Sequence, residues 1–274
     1  MAEPRTAAER RAAEVRATRP PRGEPRPAAS PPAWAREEWV EVDDDVRSEA
    51  VAATERATRR SRREPELAPE VADELQRVAP STRLARYQER LTSAADALDR
   101  GRWADARRMV QPVLRELPDL AFGHEIAGLA SYRLGQWRKA AAELELARSL
   151  DRSVHHLPVL ADCYRAMRRY RVVDELWAEL RDSGPAPAIL AEGRIVAAGA
   201  LADQGDLAGA LKIMAKAMES PKKVRDHHLR QWYVLADLFD RSGDVIKARR
   251  YFALVIEHDR EFADAVERLR SLGR

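Results

Sequence analysis

Gly135 to Ala140 reads GQWRKA, and the frame of that hexamer recurs along the chain: a glycine, any residue, an aromatic or aliphatic residue, two more residues, then alanine. It returns as GRWADA from Gly101, GDLAGA from Gly205 and GDVIKA from Gly243. A degenerate copy, RRYRVV, starts at Arg168, with arginine in place of glycine and Val173 in place of alanine. The five starts lie 34, 33, 37 and 38 residues apart. Self-similarity at such a period marks a stack of supersecondary units.

The frame has a physical reading. A tight reversal between two antiparallel helices needs a residue at the end of the first helix that accepts positive φ, and glycine does so without a Cβ penalty. The bulky residue two places on (Trp103, Trp137, Tyr170, Leu207, Val245) is expected to plug the gap between the helices. The small residue after it, such as Ala106 or Ala140, lets the second helix approach the first. Around each turn the apolar residues keep helical spacing, most clearly with Trp232, Leu235, Ala236 and Phe239 before Gly243 and Ala248, Phe252, Val255 and Ile256 after it. A hairpin with one apolar face cannot bury it alone, so neighbouring copies are expected to stack.

These residues resemble the tetratricopeptide repeat family. Gly128, Gly135, Ala140 and Ala147 match its consensus in the second copy, and Pro118 and Pro185 close the first and third. The resemblance covers about Tyr87 to Phe262 and implies an all-α, right-handed α-solenoid of about five hairpins. The repeats are expected near 87–120, 121–153, 154–190, 191–228 and 229–261, with a capping helix over 262–272. Where the third and fourth copies run long, through GPAPA and SPKKVRD, longer loops or extra helical turns are expected. More loosely, the chain resembles bacterial proteins of this family that carry a charged leader.

The leader obeys other rules. Ten of the 16 prolines fall in the first 80 residues and 11 of the 12 glycines beyond residue 100, which puts the boundary near Pro80. Residues 1–33 have almost nothing apolar beyond alanine, and ordering them would cost entropy that no core repays. They are expected to be disordered. From Trp34 to Arg63 a helix is possible, with acids early and arginines late, as the helix dipole prefers; it reads as a docking helix anchored by Trp34 and Trp39 or as a solvated spacer. Val71, Leu75 and Val78 are spaced to pack a short helix, Pro69 to Val78, on the first repeat.

Composition narrows function. The formal charge of +3 is a mild bias, short of a domain dominated by basic residues. One cysteine, Cys163, forms no internal disulfide, and no stretch nears the roughly 18 apolar residues of a membrane span. A soluble cytoplasmic protein is the expectation. No phosphate loop, HExxH, CxxC or GxSxG is present, so no catalytic role, metal, cofactor or small-molecule substrate is expected. His155-His156 and His227-His228 are adjacent pairs, whose side chains diverge by about 100° on a helix and chelate poorly. Cys163 reads as a small core residue. Trp103, Trp137, Trp177, Tyr164 and Tyr170 read as repeat packing more readily than as base-stacking platforms.

The resemblance also implies a concave groove lined by first-helix residues. Carried over, these are Phe122, Glu125, Leu129, Tyr132 and Arg133, then His155, Asp162 and Arg165, then Arg230, Tyr233, Asp237 and Asp240. The Lys and Asn set with which some family members grip a C-terminal carboxylate is absent. A groove of Tyr, Arg and acids suits an extended or helical peptide of mixed charge. Lys212, Lys216, Lys222, Lys223 and Arg225 form a basic run that also takes in Arg230, against Glu219 and Asp226. Four arginines, Arg165, Arg168, Arg169 and Arg171, crowd the third turn. A non-catalytic scaffold for a protein or peptide partner is the leading expectation. A nucleic-acid-associated protein using the basic run and the Arg-rich leader, and a regulatory partner of a separately encoded enzyme or transcription factor, stand as alternatives.

Overall fold

The computed structural model describes residues 67–219 and 221–273, and the helix expected over 34–63 lies outside them. The described residues are all-α: twelve α-helices joined by turns and two short 3₁₀ segments, with no strand among them. They fall within one compact unit.

After α1 (Pro69–Val78) and a 3₁₀ turn come five hairpins: α2 (Leu84–Asp99) with α3 (Trp103–Glu116), α4 (Ala121–Arg133) with α5 (Trp137–Asp151), α6 (Leu157–Ala166) with α7 (Tyr170–Asp182), α8 (Pro187–Asp203) with α9 (Leu207–Ile213), and α10 (Asp226–Arg241) with α11 (Val245–His258). A final helix, α12 (Ala265–Ser271), packs on α11.

All five hairpin turns have one backbone construction. Gly101, Gly135, Arg168, Gly205 and Gly243 hold φ of 72°, 68°, 58°, 84° and 82°. In each turn the next residue's N–H reaches back five residues and the left-handed residue's own N–H three, as in Gln136 to Ser131 O and Gly135 to Tyr132 O, both 2.9 Å. This is the Schellman closure, which satisfies the last carbonyls of the first helix. The second helix starts two residues after the left-handed one. Asp206 and Asp244 also cap it, each accepting from the N–H three residues on, at 2.8 and 3.1 Å.

The small residue three places into each second helix is fully buried: Ala106, Ala140, Val173, Ala210 and Ala248 are all 0% exposed. The plug is less uniform. Trp103, Trp137, Tyr170 and Leu207 are half-buried, but Val245 stays exposed and does not fill the plug position.

First helices also touch in succession: α2 meets α4, α4 meets α6, α6 meets α8 and α8 meets α10, while each second helix packs on the next first helix. Helices packed on several sides should be apolar or small nearly all round. In α4 and α8 this holds, with ten buried residues apiece. Close approach is set by glycine. A Cβ on Gly128 would lie 2.7 Å from Leu144 Cγ in α5, and one on Gly193 2.2 Å from Leu180 Cδ2 in α7.

The long third and fourth copies resolve in two ways. GPAPA splits into a turn and the first residues of α8, with Pro187 at the start of that 17-residue helix. The fourth hairpin departs from the rest: α9 runs only seven residues and tightens into a 3₁₀ segment, Met214–Met218, before the connection to α10. In α1, Leu75 is buried and Val71 and Val78 pack against the same core. Phe262 and Ala265 are buried at the far end.

Candidate interaction surfaces

The residues expected to face a partner lie on α4, α6 and α10, except His155 in the turn before α6, but many of them are held inside the protein. Tyr132 Oη of α4 donates to Asp162 Oδ2 of α6 at 2.6 Å. Arg165 of α6 clasps Asp203, the last residue of α8, through Nε at 2.7 Å and Nη2 at 3.0 Å. Arg230 Nε of α10 donates to Glu192 Oε1 of α8 at 2.6 Å, with both side chains buried. Beside it Arg194 Nη1 of α8 donates to Gln231 Oε1 of α10 at 2.6 Å. Tyr233 hydrogen-bonds Asp264, and Arg268 of α12 bridges Asp237 at 2.9 Å and Asp240 at 3.0 Å.

This changes the expected groove. Tyr132, Asp162, Arg165 and Arg230 are buried with partners on neighbouring helices, Tyr233 is buried against Asp264 just before α12, and Leu129 is buried in the core. The reason is directional: a side chain that points away from its own second helix points toward the next first helix, and a charge buried there must be paired. Asp237 and Asp240 are half-buried against Arg268. Phe122 and Arg133 are half-buried, the Arg133 guanidinium lying 5.7 Å from the Trp103 ring centroid. Glu125 is half-buried and 3.3 Å from His156 Nε2. Of the twelve, only His155 is exposed.

Three polar contacts carried no signal in the sequence reading. Glu74 of α1 reaches the N-terminus of α4, accepting from Ala121 N at 2.5 Å and Phe122 N at 3.3 Å. Burial nevertheless leaves its carboxyl above the usual carboxylate range, the two backbone hydrogen bonds opposing the rise. His124 Nδ1 lies 2.6 Å from Glu143 Oε2 and its Nε2 2.8 Å from Pro118 O. Two acceptors on one ring suit the doubly protonated imidazolium, and the hydrogen bond to Glu143 raises its pKa. At His156 burial opposes the charge, yet the Glu125 carboxylate prevails and the pKa rises. The signal that links first helices is offset by one repeat: donor and acceptor are 30 residues apart in Tyr132 and Asp162 and 38 in Arg230 and Glu192.

The first histidine pair diverges, with His155 exposed and His156 buried, and among the described residues no three His, Cys, Asp or Glu side chains group as a metal site. The second pair does not diverge as expected: the His227 and His228 rings lie side by side, centroids 4.1 Å apart and planes tilted by 44°. Burial, then the neighbouring His228, Arg230 and Arg225, push His227 down to about 4. Cys163 is buried in the core, and Trp103, Trp137, Trp177, Tyr164 and Tyr170 pack against it.

The basic run is different. Lys212 closes α9, Lys216 sits in the 3₁₀ segment, and Lys222, Lys223 and Arg225 follow in the connection to α10; all five are exposed. None forms an ion pair with a described residue. Among the described residues no helix is long and apolar enough to cross a membrane. Comparison with protein-family models and with curated proteins returns no match for this sequence.

Proposed function

We propose that this chain is a non-catalytic protein-interaction scaffold, its hairpins stacked as a right-handed tetratricopeptide-like α-solenoid that holds a peptide or partner protein. One observation carries the reading: five successive hairpins repeat the same left-handed turn and the same buried small residue, at Ala106, Ala140, Val173, Ala210 and Ala248. A protein that reiterates one packing unit makes a long surface from short-range contacts, and such surfaces serve extended ligands. Polar side chains that cross from one hairpin to the next hold the units in register, so the binding face is carried by what they leave uncovered. In the groove that face includes Phe122 and His155.

The test is affinity purification with the full chain as bait, followed by the double variant F122A/H155E. The scaffold reading expects recovered proteins that copurify in fixed ratio and at least one that is lost with the double variant. Recovery of no protein above a scrambled-bait control overturns it.

A further inference from the structure

The fourth hairpin departs from its neighbours in backbone and in charge at the same place. Second helices α3, α5, α7 and α11 run 14, 15, 13 and 14 residues, whereas α9 stops after seven. From Lys212 in the last turn of α9 to the start of α10 the chain presents four lysines and one arginine with a single acid among them, Glu219. Asp226 opens α10, one residue beyond the run. Some exposed cations outside the run are paired, as Lys247 is 2.7 Å from Asp244 and Arg83 2.9 Å from Glu116. Five cations within 14 residues, all in water and none neutralised by a described side chain, leave a local positive field.

Within this run lies an apolar contact point. Met218 is 38% exposed, between Lys216 and Lys222, and Ala215 is exposed one residue before Lys216. Methionine is a flexible, polarisable side chain that accommodates varied apolar partners. Cations flanking an apolar spot match a polypeptide in which acids alternate with large apolar residues. Nucleic acid is matched less well: base binding calls for exposed aromatic faces, and Trp232, the nearest tryptophan in sequence, is 5% exposed.

We infer that the surface formed by Lys212, Lys216, Met218, Lys222, Lys223 and Arg225 docks an acidic segment of a partner protein, with carboxylates on the cations and an apolar side chain on Met218. This inference rests on the scaffold reading and names the chemistry of the partner. Lysines suit such a ligand because each is a mobile point charge that pairs with a carboxylate without demanding bidentate geometry.

The experiment titrates the full chain into a fluorescein-labelled peptide of about a dozen residues alternating glutamate and leucine. A glutamate-glycine peptide of equal charge and a single-stranded DNA of about 20 nucleotides are run in parallel. The expected result is binding of the glutamate-leucine peptide that weakens roughly tenfold or more in K216E/K222E/K223E and severalfold in M218S. R115E/R138E/K139E, which makes the same charge change at three exposed residues of α3 and α5, should bind within about twofold of the wild type. Far-ultraviolet circular dichroism of each variant should overlay the wild type, since every substituted side chain is exposed. Equal weakening in both triple variants reduces the effect to net charge and overturns the inference, as does the absence of peptide binding. DNA binding that is tighter than peptide binding and lost with the same three lysines overturns it in favour of a nucleic-acid surface. Failure here is separable from failure of the scaffold reading, which is decided by recovery of partners and not by this titration.

Discussion

Arg168 holds φ 58° at an exposed turn position where the four matching residues are glycine. A left-handed backbone costs an L-residue roughly 1 kcal/mol or more, so R168G should raise unfolding stability by about 1 kcal/mol. At Gly243 a Cβ would meet nothing within 4 Å, so G243A carries backbone strain alone and should lower stability by about 1 kcal/mol. Urea denaturation of the two variants measures both, and equal and opposite signs are expected. Histidines supply a second pair of opposed effects. His124 has a pKa raised by Glu143, so its contribution is present in full below about 6.5 and is lost as pH climbs through the higher folded value. The stability gap between wild type and E143Q should therefore shrink as pH rises above neutral. His227, depressed to about 4, acts the other way: the neutral ring stabilises the fold above about 6.5, and the contribution drains as pH falls toward 4. H227Q should flatten the acid side of the stability profile. Stability curves across pH 4 to 9 that are parallel for all three proteins would contradict both assignments.

Between elements, the decisive contacts join helices one repeat apart. Arg230 and Glu192 are 5% and 1% exposed, and removing one partner leaves the other charged in a dry contact. E192A or R230A should each cost about 3–5 kcal/mol, while an E192M/R230L pair should recover much of that loss, because a buried ion pair gains little over apolar packing. A double-mutant cycle in urea reads this as a coupling energy; additive single effects would show that the pair is not coupled. Glu74 caps α4 from 47 residues away, and E74A should cost about 1 kcal/mol and speed amide exchange at Ala121 and Phe122. Glycine does the opposite work at Gly193, where even one methyl would strike Leu180 Cδ2; G193A should cost about 1–3 kcal/mol through overpacking, independent of φ.

At the scale of the molecule, the last helix closes the row of polar links. Deleting residues 260–274 removes Phe262 from the Tyr233 ring and Arg268 from Asp237, Asp240 and the Phe252 ring. Hydrogen exchange of that truncation should show α10 and α11 losing protection while α4 and α5 keep theirs, because each hairpin leans on its neighbours only. Uniform loss across all helices would indicate one global cooperative unit instead. The hairpin reversals were legible in residue order alone, down to Arg168 doing the work of glycine, because a Schellman turn is decided within six consecutive residues. So were the buried Ala106, Ala140, Val173, Ala210 and Ala248, since they follow each turn at a fixed offset. The fate of the polar side chains on the first helices was not legible in this way. Tyr132, Asp162, Arg165, Arg230 and Tyr233 look the same in sequence whether they await a ligand or grip the next hairpin. Their partners lie 30 to 38 residues on or back, and only packing brings those together. Local backbone chemistry therefore determined the repeating turn, and tertiary contact decided which charges are spent inside the protein and which, like Lys212 to Arg225, are left facing water. The reason is that a turn satisfies its own hydrogen bonds, whereas a charge is satisfied by whatever long-range neighbour the fold delivers.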